Sequence, residues 1–355
     1  MRDAEAMGRA VALAWQGWGR VGRNPMVGAV LLRDGALVAE AYHAIFGGPH
    51  AERAALASAG ERARGADLVV TLEPCRHQGK TPPCVDAIVA AGVRRVVYGT
   101  ADVDQEARGG AAVLRRAGIA VTGGVLEGEV RAQNAAFFHR HALPGRPWVA
   151  LKLAVSLDGR IADARGRSRW LTGPPARDWV QLLRAGFEAI AVGAGTAHTD
   201  DPALTVRGER RPPTPPVRVV FDRSASLAVD SRLVRTAREL PTVVLAERPG
   251  PNAAALRKAG VDVRVAPDAA GALASLGERG VTSLLVEGGG MLAGGLLAQG
   301  LVDRIYLLTA PIFLGAGGRP AFAGVPDADI ETVRRWRVVG RHALGDDTLL
   351  VLDRP

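Results

Sequence analysis

Residues 71–84 read TLEPCRHQGKTPPC, and they hold both cysteines of a chain of 355 residues. The apolar run LVVTL at 68–72 predicts a strand. It ends at Glu73, Pro74 and Cys75, and after a turn rich in proline and glycine Cys84 opens a helical pattern at 83–91. Strand ends and the starts of the helices that follow them meet on one edge of an α/β sheet. Upstream, GGPHAERAAL at 47–56 sets His50 and Glu52 at the start of a helix predicted over 51–63. One imidazole and two thiols are thereby brought within reach of a common point, and the first half of the chain reads as α/β.

Further strands are predicted at 27–33, 37–43, 95–99 and 119–122, with helices at 3–16 and 109–117. ALPGRP at 142–147, turn-rich and without periodicity, reads as a linker. Beyond it apolar runs return: WVALKLAVSLDG, AIAVG, VRVVF, TVVLA, VDVRV, SLLVEGGG and RIYLLTAP. Helical patterns separate several of them, which predicts a mixed and largely parallel sheet. Two last runs, 333–341 and 347–352, have no helix between them and are expected to pair as an antiparallel edge hairpin. RPPTPP at 211–216 is a stiff loop. The expectation is two domains, 1–144 and 145–355, each long enough to bury its own core.

Hydrophobic residues make up 48% of the chain and charged residues 23%, which excludes a disordered protein. No run of about 18 apolar residues appears, so no membrane span is expected. The N-terminal stretch carries Asp3 and Glu5 ahead of its apolar positions and reads as an amphipathic helix, not a signal peptide. Two cysteines are too few for a secreted disulfide scaffold, so a cytoplasmic protein with free thiols is expected. The net charge of +9 invites a nucleic-acid reading. Yet only Lys80, Lys152 and Lys258 are lysine, and the 42 arginines are scattered without a basic run. Such a pattern fits an arginine-rich composition and would also suit a phosphorylated small substrate.

Three ligands of N/S type, His50, Cys75 and Cys84, leave the fourth tetrahedral position of a zinc ion open, as catalysis requires. Zinc brings the pKa of water down to about 7, and helix N-termini favour the thiolate form of both cysteines. Glu52, two residues beyond a ligand, is placed to move protons and not to bind metal. His-x-Glu followed by Pro-Cys and a second Cys is the zinc nucleobase deaminase pattern, here with eight residues between the cysteines instead of two. Singly, these residues read as a helix cap and buried structural thiols; in this order, with Glu52 at this offset, they favour the metal.

Nearly from end to end the chain resembles the RibD family, the bifunctional deaminase/reductases of riboflavin biosynthesis. The family motif P-N-P-x-V-G-A-V appears as RNPMVGAV at 23–30, P-H-A-E is intact at 49–52, and E-P-C-x-H-x-G-[RK]-T-P-P-C is intact at 73–84. The resemblance implies a cytidine-deaminase-like three-layer domain with zinc on His50, Cys75 and Cys84 and with Glu52 as proton shuttle. It implies substrate contacts from Asn24, His43 and Lys80. Read alone, Asn24 is equally a turn residue, His43 a polar residue closing a strand, and Lys80 a solvated lysine. Where the family usually shows D-P-N-P, this chain has DVDQ at 102–105, so Asp104 stands for an amide and its carboxylate would repel a nearby phosphate.

The second half resembles the family's dihydrofolate-reductase-like α/β domain through KLAVSLDGRIA at 152–162, SRWLTG at 168–173, AVGAGTAHTDDPALTVR at 191–207, VEGGG at 286–290 and LVDRIYLLTAPIFLG at 301–315. In VEGGG, glycines between a strand and a helix would let backbone N–H groups approach a pyrophosphate, although the pattern is not the G-x-G-x-x-G fingerprint. The resemblance implies NADPH contacts at Ala154, Trp170, Thr196, Asp200, Gly289 and Gly290. It implies substrate contacts at Ser168, Arg184, Leu204, Arg207 and Glu287, the two arginines suiting a ribose phosphate. Lys152 reads as the start of an apolar strand, where an ammonium is costly without a role. It is expected to act on the sugar, with Glu287 as its electrostatic partner. Gln181 stands where the family often has histidine before the substrate arginine.

The activity implied is zinc-dependent hydrolytic deamination of 2,5-diamino-6-(5-phosphoribosylamino)pyrimidin-4(3H)-one, followed by NADPH-dependent reduction of the ribosyl to a ribityl chain. The expected protein is a cytoplasmic homo-oligomer acting on a phosphorylated pyrimidine, with no nucleic acid and no membrane as partner. Two alternatives stand beside it. A tRNA or other nucleic-acid base deaminase is favoured by the zinc pattern and the charge but opposed by the cysteine spacing and the whole second half. A metal-stabilised binding protein is opposed by Glu52, which a structural zinc site does not need.

Overall fold

In the computed structural model, which describes residues 1–355, the chain divides into units of Met1–Ala142 and Leu143–Pro355. The first unit runs α1 (Asp3–Ala14), β1 (Gly28–Arg33), β2 (Ala36–Tyr42), α2 (Ala51–Ala59), β3 (Asp67–Leu72), α3 (Cys84–Ala90), β4 (Arg95–Thr100), α4 (Gly110–Arg116), β5 (Ala120–Gly123), α5 (Glu127–Gln133) and α6 (Ala135–Ala142). Its five strands lie in the order β2-β1-β3-β4-β5. β1 is antiparallel to both its neighbours, whereas β3, β4 and β5 are parallel.

Both faces of this sheet are covered, which is why its strands read as continuous apolar runs and not as alternating ones. Ala29, Leu31, Leu68, Val70 and Val96 pack on one face with Leu56 of α2, Ile88 of α3 and Leu114 of α4. Val30, Leu32, Val69 and Val97 pack on the other with Met7 and Ala10 of α1 and Val130 of α5. The result is three layers, helix–sheet–helix. α1 presses on the sheet so closely that a Cβ on Gly28 would lie 2.0 Å from the Ala10 carbonyl oxygen. Only glycine fits there.

α5 and α6 fill 127–142, where the sequence reading placed no helix and began the linker at 142. The pattern is broken at Asn134 (φ −106°, ψ 28°), a buried polar residue that interrupts the apolar periodicity because its amide is used elsewhere.

The second unit runs β6 (Trp148–Ser156), β7 (Arg160–Ala162), α7 (Pro174–Ala185), β8 (Ala189–Gly193), α8 (Ala194–Asp200), β9 (Val217–Phe221), α9 (Arg232–Arg235), β10 (Thr242–Ala246), α10 (Ala253–Lys258), β11 (Asp262–Val265), α11 (Ala269–Glu278), β12 (Ser283–Glu287), α12 (Gly290–Ala298), β13 (Arg304–Ala310), β14 (Arg319–Pro320), β15 (Arg337–Leu344) and β16 (Asp347–Asp353). Nine strands form one sheet in the order β11-β10-β9-β8-β12-β6-β13-β16-β15, and β7 pairs separately with β14. Seven of the nine are parallel, and β16 and β15 close one edge as the antiparallel hairpin. The hairpin's first strand starts at Arg337; residues 333–336, expected in it, lie outside.

Val149, Leu151, Leu153 and Val155 of β6 face α11 and α12, through Leu273, Leu276, Ala293 and Leu296. Lys152 and Ala154 alternate with them and so point to the opposite face. On that face Ile190 of β8 and Val220 of β9 meet Leu204, Leu227, Leu233 and Leu256. Lys152 is thus the fifth residue of a nine-residue central strand, flanked in register by Glu287 and Tyr306, and not the start of the strand as the sequence suggested.

Candidate active sites

The first site sits where β3 ends. His50 precedes the first turn of α2 with extended backbone (φ −67°, ψ 156°), and its carbonyl accepts from the Ala54 amide. Its Nδ1 lies 3.5 Å from Cys75 Sγ and 3.3 Å from Cys84 Sγ. The three donor atoms are all within 4.8 Å of one another. Bond lengths of about 2.3 Å to sulfur and 2.05 Å to nitrogen at a tetrahedral angle put N and S roughly 3.6 Å apart, so these residues fit a zinc ion.

The thiols are free, not a disulfide. The Cys84 amide donates to Cys75 Sγ at 3.4 Å. Hydrogen bonding from the Cys84 thiol and from His50 holds Cys75 well below the ordinary thiol range, and the same sharing of a proton, with burial, raises Cys84. The bond to Cys75 raises His50 against the pull of burial. Glu52, in the first turn of α2, is buried beside the cluster at 4% exposure. Burial and the negative Cys75 push its carboxyl up to about 7.

Two sequence-predicted contacts are joined directly. His43 Nδ1 lies 3.0 Å from the Pro49 carbonyl, and Asn24 Nδ2 lies 3.2 Å from His43 Nε2. A carbonyl can only accept, so Nδ1 carries the proton and Nε2 accepts from the Asn24 amide. That neutral tautomer agrees with the downward pull of burial on His43. The His43 and His50 rings meet edge-on at 5.6 Å. Lys80, in the loop between Cys75 and Cys84, holds its ammonium 4.0 Å from the Phe46 ring centroid, so the loops on either side of His50 face each other. Asp104 spends its carboxylate locally, accepting from the Glu106 amide at 3.1 Å.

Two residues that hold this site were not singled out from sequence. Glu73, buried, accepts from the amides of Asp102, Gly109 and Ala111 and so ties the end of β3 to the loop that starts α4. Asn134 accepts from the Met26 amide at 2.7 Å and donates to the Met26 carbonyl at 3.0 Å, fixing the segment that carries Asn24. Glu73 carried a signal in its motif; Asn134 carried none.

In the second unit, Arg184 of α7 meets Glu287 at the end of β12 through two bonds, Nε to Oε1 at 2.6 Å and Nη2 to Oε2 at 2.7 Å. Arg184 Nη1 also donates to the Thr205 carbonyl at 3.0 Å. Glu287 is thereby hydrogen-bonded by Arg184, while Lys152, its expected electrostatic partner, acts on it through charge alone. Burial would raise Glu287 and the Arg184 guanidinium outweighs it. Lys152 is lowered by burial; the Glu287 carboxylate opposes this and Arg184 adds to it. The Lys152 ammonium has neighbours in charge but no hydrogen-bond acceptor, which leaves its protons for a ligand.

Arg207 is exposed, and its amide donates to Gln181 Oε1 at 2.9 Å. Leu204 has left-handed backbone (φ 49°) and a side chain in the core at 3% exposure, so only its main chain is available to a ligand.

A second group gathers around α8. Gly288 and Gly289 have φ of 91° and 88°, and Thr196 Oγ1 would stand 3.4 Å from a Cβ on Gly289. A Cβ on Gly290 would lie 2.3 Å from the Pro320 carbonyl oxygen. This side-chain-free corner at the start of α12 presents backbone N–H groups, and it fits the pyrophosphate of a dinucleotide. Arg169 bonds the Asp200 carbonyl at 3.1 Å and so places Ser168 and Trp170 beside the end of α8. Trp170 is 69% exposed, with the Arg177 guanidinium 4.8 Å from its ring. Ala154 lies two residues beyond Lys152 on the same face of β6. Asp158, unremarked in sequence within the SLDG motif, accepts from the Leu314 and Gly315 amides at 3.1 and 2.7 Å and anchors the loop after β13.

Comparison with known proteins bears on both sites. Residues 147–350 match the RibD C-terminal domain, and residues 1–100 match the cytidine and deoxycytidylate deaminase zinc-binding region. The chain is 40% identical to the riboflavin biosynthesis protein RibD of Escherichia coli, over 96% of this chain and 97% of that one. It is 38% identical to that of Actinobacillus pleuropneumoniae, over 99% and 95%. A solved diaminohydroxyphosphoribosylaminopyrimidine deaminase/5-amino-6-(5-phosphoribosylamino)uracil reductase from Thermotoga maritima superimposes with a TM-score of 0.83 at 37% identity, covering 99% of this chain and 98% of that one.

Proposed function

Because the chain belongs to the RibD family of bifunctional riboflavin-biosynthesis enzymes, we propose a role for each of the residues that its two sites bring together. The chain is a zinc-dependent pyrimidine deaminase and an NADPH-dependent reductase. We assign deamination to residues 1–144 and reduction to 145–355. The carrying observation is the cluster of one imidazole and two thiols with the buried carboxyl of Glu52 beside it and no fourth protein ligand.

His50 Nδ1, Cys75 Sγ and Cys84 Sγ would hold zinc, which supplies, when bound, the Lewis acid that makes water nucleophilic near neutral pH. Glu52 takes a proton at its carboxylate and passes it to the leaving amino nitrogen, since it lies against the cluster without belonging to it. Asn24 and His43, locked to each other, orient the pyrimidine ring. Lys80 reaches the ribose phosphate as a mobile point charge.

In the reductase, NADPH supplies the hydride and would lie along Ala154, Trp170, Thr196, Asp200, Gly289 and Gly290. Lys152 donates from its ammonium to the sugar oxygen as the ring opens. Glu287 keeps Lys152 charged and keeps Arg184 in place. Arg184, already neutralised by Glu287, shapes the site. Arg207, exposed and sensing the Glu287 charge without an ion pair to it, meets the substrate phosphate, and Ser168 and the Leu204 main chain complete that pocket.

No helix is long and apolar enough to cross a membrane. With two free thiols this supports a cytoplasmic protein, and the exposed Ile312 and Phe313 support a homo-oligomer. The test is incubation of the protein with the diaminopyrimidine nucleotide, with and without NADPH, and mass analysis of the products. Without NADPH the deaminated ribosyl compound is expected, and with it the ribityl compound. Chelation should abolish the first step and leave reduction of supplied deaminated substrate intact.

A further inference from the structure

Residues 201–207 carry no regular secondary structure, yet they are held at almost every second position. Asp201 (φ 38°) accepts from the Arg232 amide at 2.7 Å, at the start of α9. Leu204 buries its side chain. The Thr205 carbonyl is held by Arg184, which Glu287 fixes in turn. Arg184's hold stops two residues short of Arg207. After Arg207 the chain leaves the fold at Gly208 (φ 107°) and forms no regular element until β9 begins at Val217.

The one side chain that grips residue 207 itself is Gln181. It lies one turn before Arg184 on α7, three residues away and therefore on the same helix face. The two side chains act on one strand of backbone as a pair, Arg184 on a carbonyl and Gln181 on an amide. We propose that Gln181 is a positioning residue of the reductase site: its bond to the Arg207 amide sets the direction in which the Arg207 guanidinium meets the substrate phosphate. This rests on the assignment of Arg207 to that phosphate. A neutral amide suits the task. It accepts the N–H without drawing the guanidinium to itself, as a carboxylate would, and without adding a charge that competes for the phosphate.

The test is steady-state reduction by the full-length protein with the deaminated phosphoribosyl substrate and with its dephosphorylated counterpart. The variants are Gln181→Met, Arg207→Ala and the double substitution. Methionine keeps the length of glutamine and removes the acceptor. Gln181→Met should raise KM for the phosphorylated substrate on the order of three- to tenfold, the worth of one hydrogen bond, with kcat within about twofold. KM for the dephosphorylated substrate should not move, and deamination by the same preparation reports that the protein is intact. Arg207→Ala should raise KM more, and adding Gln181→Met to it should cost nothing further, since Gln181 acts through Arg207. If Arg207→Ala raises KM and Gln181→Met does not, the positioning role is refuted and the phosphate assignment stands. If Arg207→Ala leaves KM unchanged, the phosphate assignment falls and the positioning role with it. Additive losses, or equal losses on both substrates, would show Gln181 to be merely structural.

Discussion

Replacing Glu287 with glutamine tests both the stability and the chemistry of the second unit. The Arg184 and Glu287 side chains are 13% and 8% exposed and meet through two bonds of 2.6 and 2.7 Å. Removing one charge of a buried pair strands the other, at a cost of about 3–5 kcal/mol. For a unit of this size each kcal/mol moves the melting temperature by about 2–4 °C, so Glu287→Gln should lower it by roughly 6–20 °C. Replacing both partners by apolar residues, Arg184→Met with Glu287→Leu, removes the stranded guanidinium and should recover part of the loss, the remainder reflecting the Lys152 ammonium left without its carboxylate. Calorimetry of the three proteins measures this. In the single variant the reductase also reports on Lys152. Burial and Arg184 lower its pKa while Glu287 raises it, so losing Glu287 makes the ammonium give up its proton at lower pH. The alkaline limb of the pH–rate profile should therefore move to lower pH. A melting shift under about 2 °C, or a double variant as unstable as the single one, would refute the energetic argument; an unmoved alkaline limb would remove Lys152 as the titrating donor.

In the first unit, Glu52→Gln should retain stoichiometric zinc and lose ammonia release, whereas Cys75→Ser should lose metal and lower the unit's stability, both read by metal analysis alongside activity. Asn134→Leu orphans the buried amide and carbonyl of Met26 and should cost roughly 2–6 kcal/mol in urea unfolding, with a raised KM for deamination because Asn24 is two residues away. The fragment 143–355 keeps the Arg146–Asp303 pair, with bonds of 2.9 and 2.7 Å. It should fold and reduce deaminated substrate; a folded but inert fragment would show that the two sites are not independent.

That His50, Cys75 and Cys84 meet was legible in sequence because they are short side chains at fixed offsets from strand and helix ends, where backbone geometry alone delivers them. His50, Cys75, Cys84 and Glu52 needed no long-range knowledge. The strands were legible for a similar reason: with both faces buried, they are bare apolar runs. Asn134 was not legible, since its partner Met26 is more than a hundred residues away and nothing local marks an asparagine as a brace. The expected electrostatic pairing of Lys152 with Glu287 is present, but that Arg184 is the hydrogen-bonded partner was not legible, because charge complementarity allows a lysine as readily as an arginine; register and the position of α7 decide for Arg184. Lys152 was misplaced within its strand because its charge reads as a strand boundary, whereas Trp148–Leu151 before it pair with β12 and Leu153–Ser156 after it pair with β13.

The two sheets differ in when they can close during synthesis. All five strands of the first lie within residues 28–123 and can pair as soon as that stretch is clear of the ribosome. The first strand of the second sheet, β6, must wait for β12 and β13, which begin at residues 283 and 304. At about 5–20 residues per second, β6 and its lysine stand unpaired for roughly six to thirty seconds. Over that interval a nascent chain with a complete metal-binding module trails a long apolar strand with no partner. Growth temperature, codon usage between residues 157 and 303 and chaperone supply should therefore govern the yield of the second activity far more than that of the first.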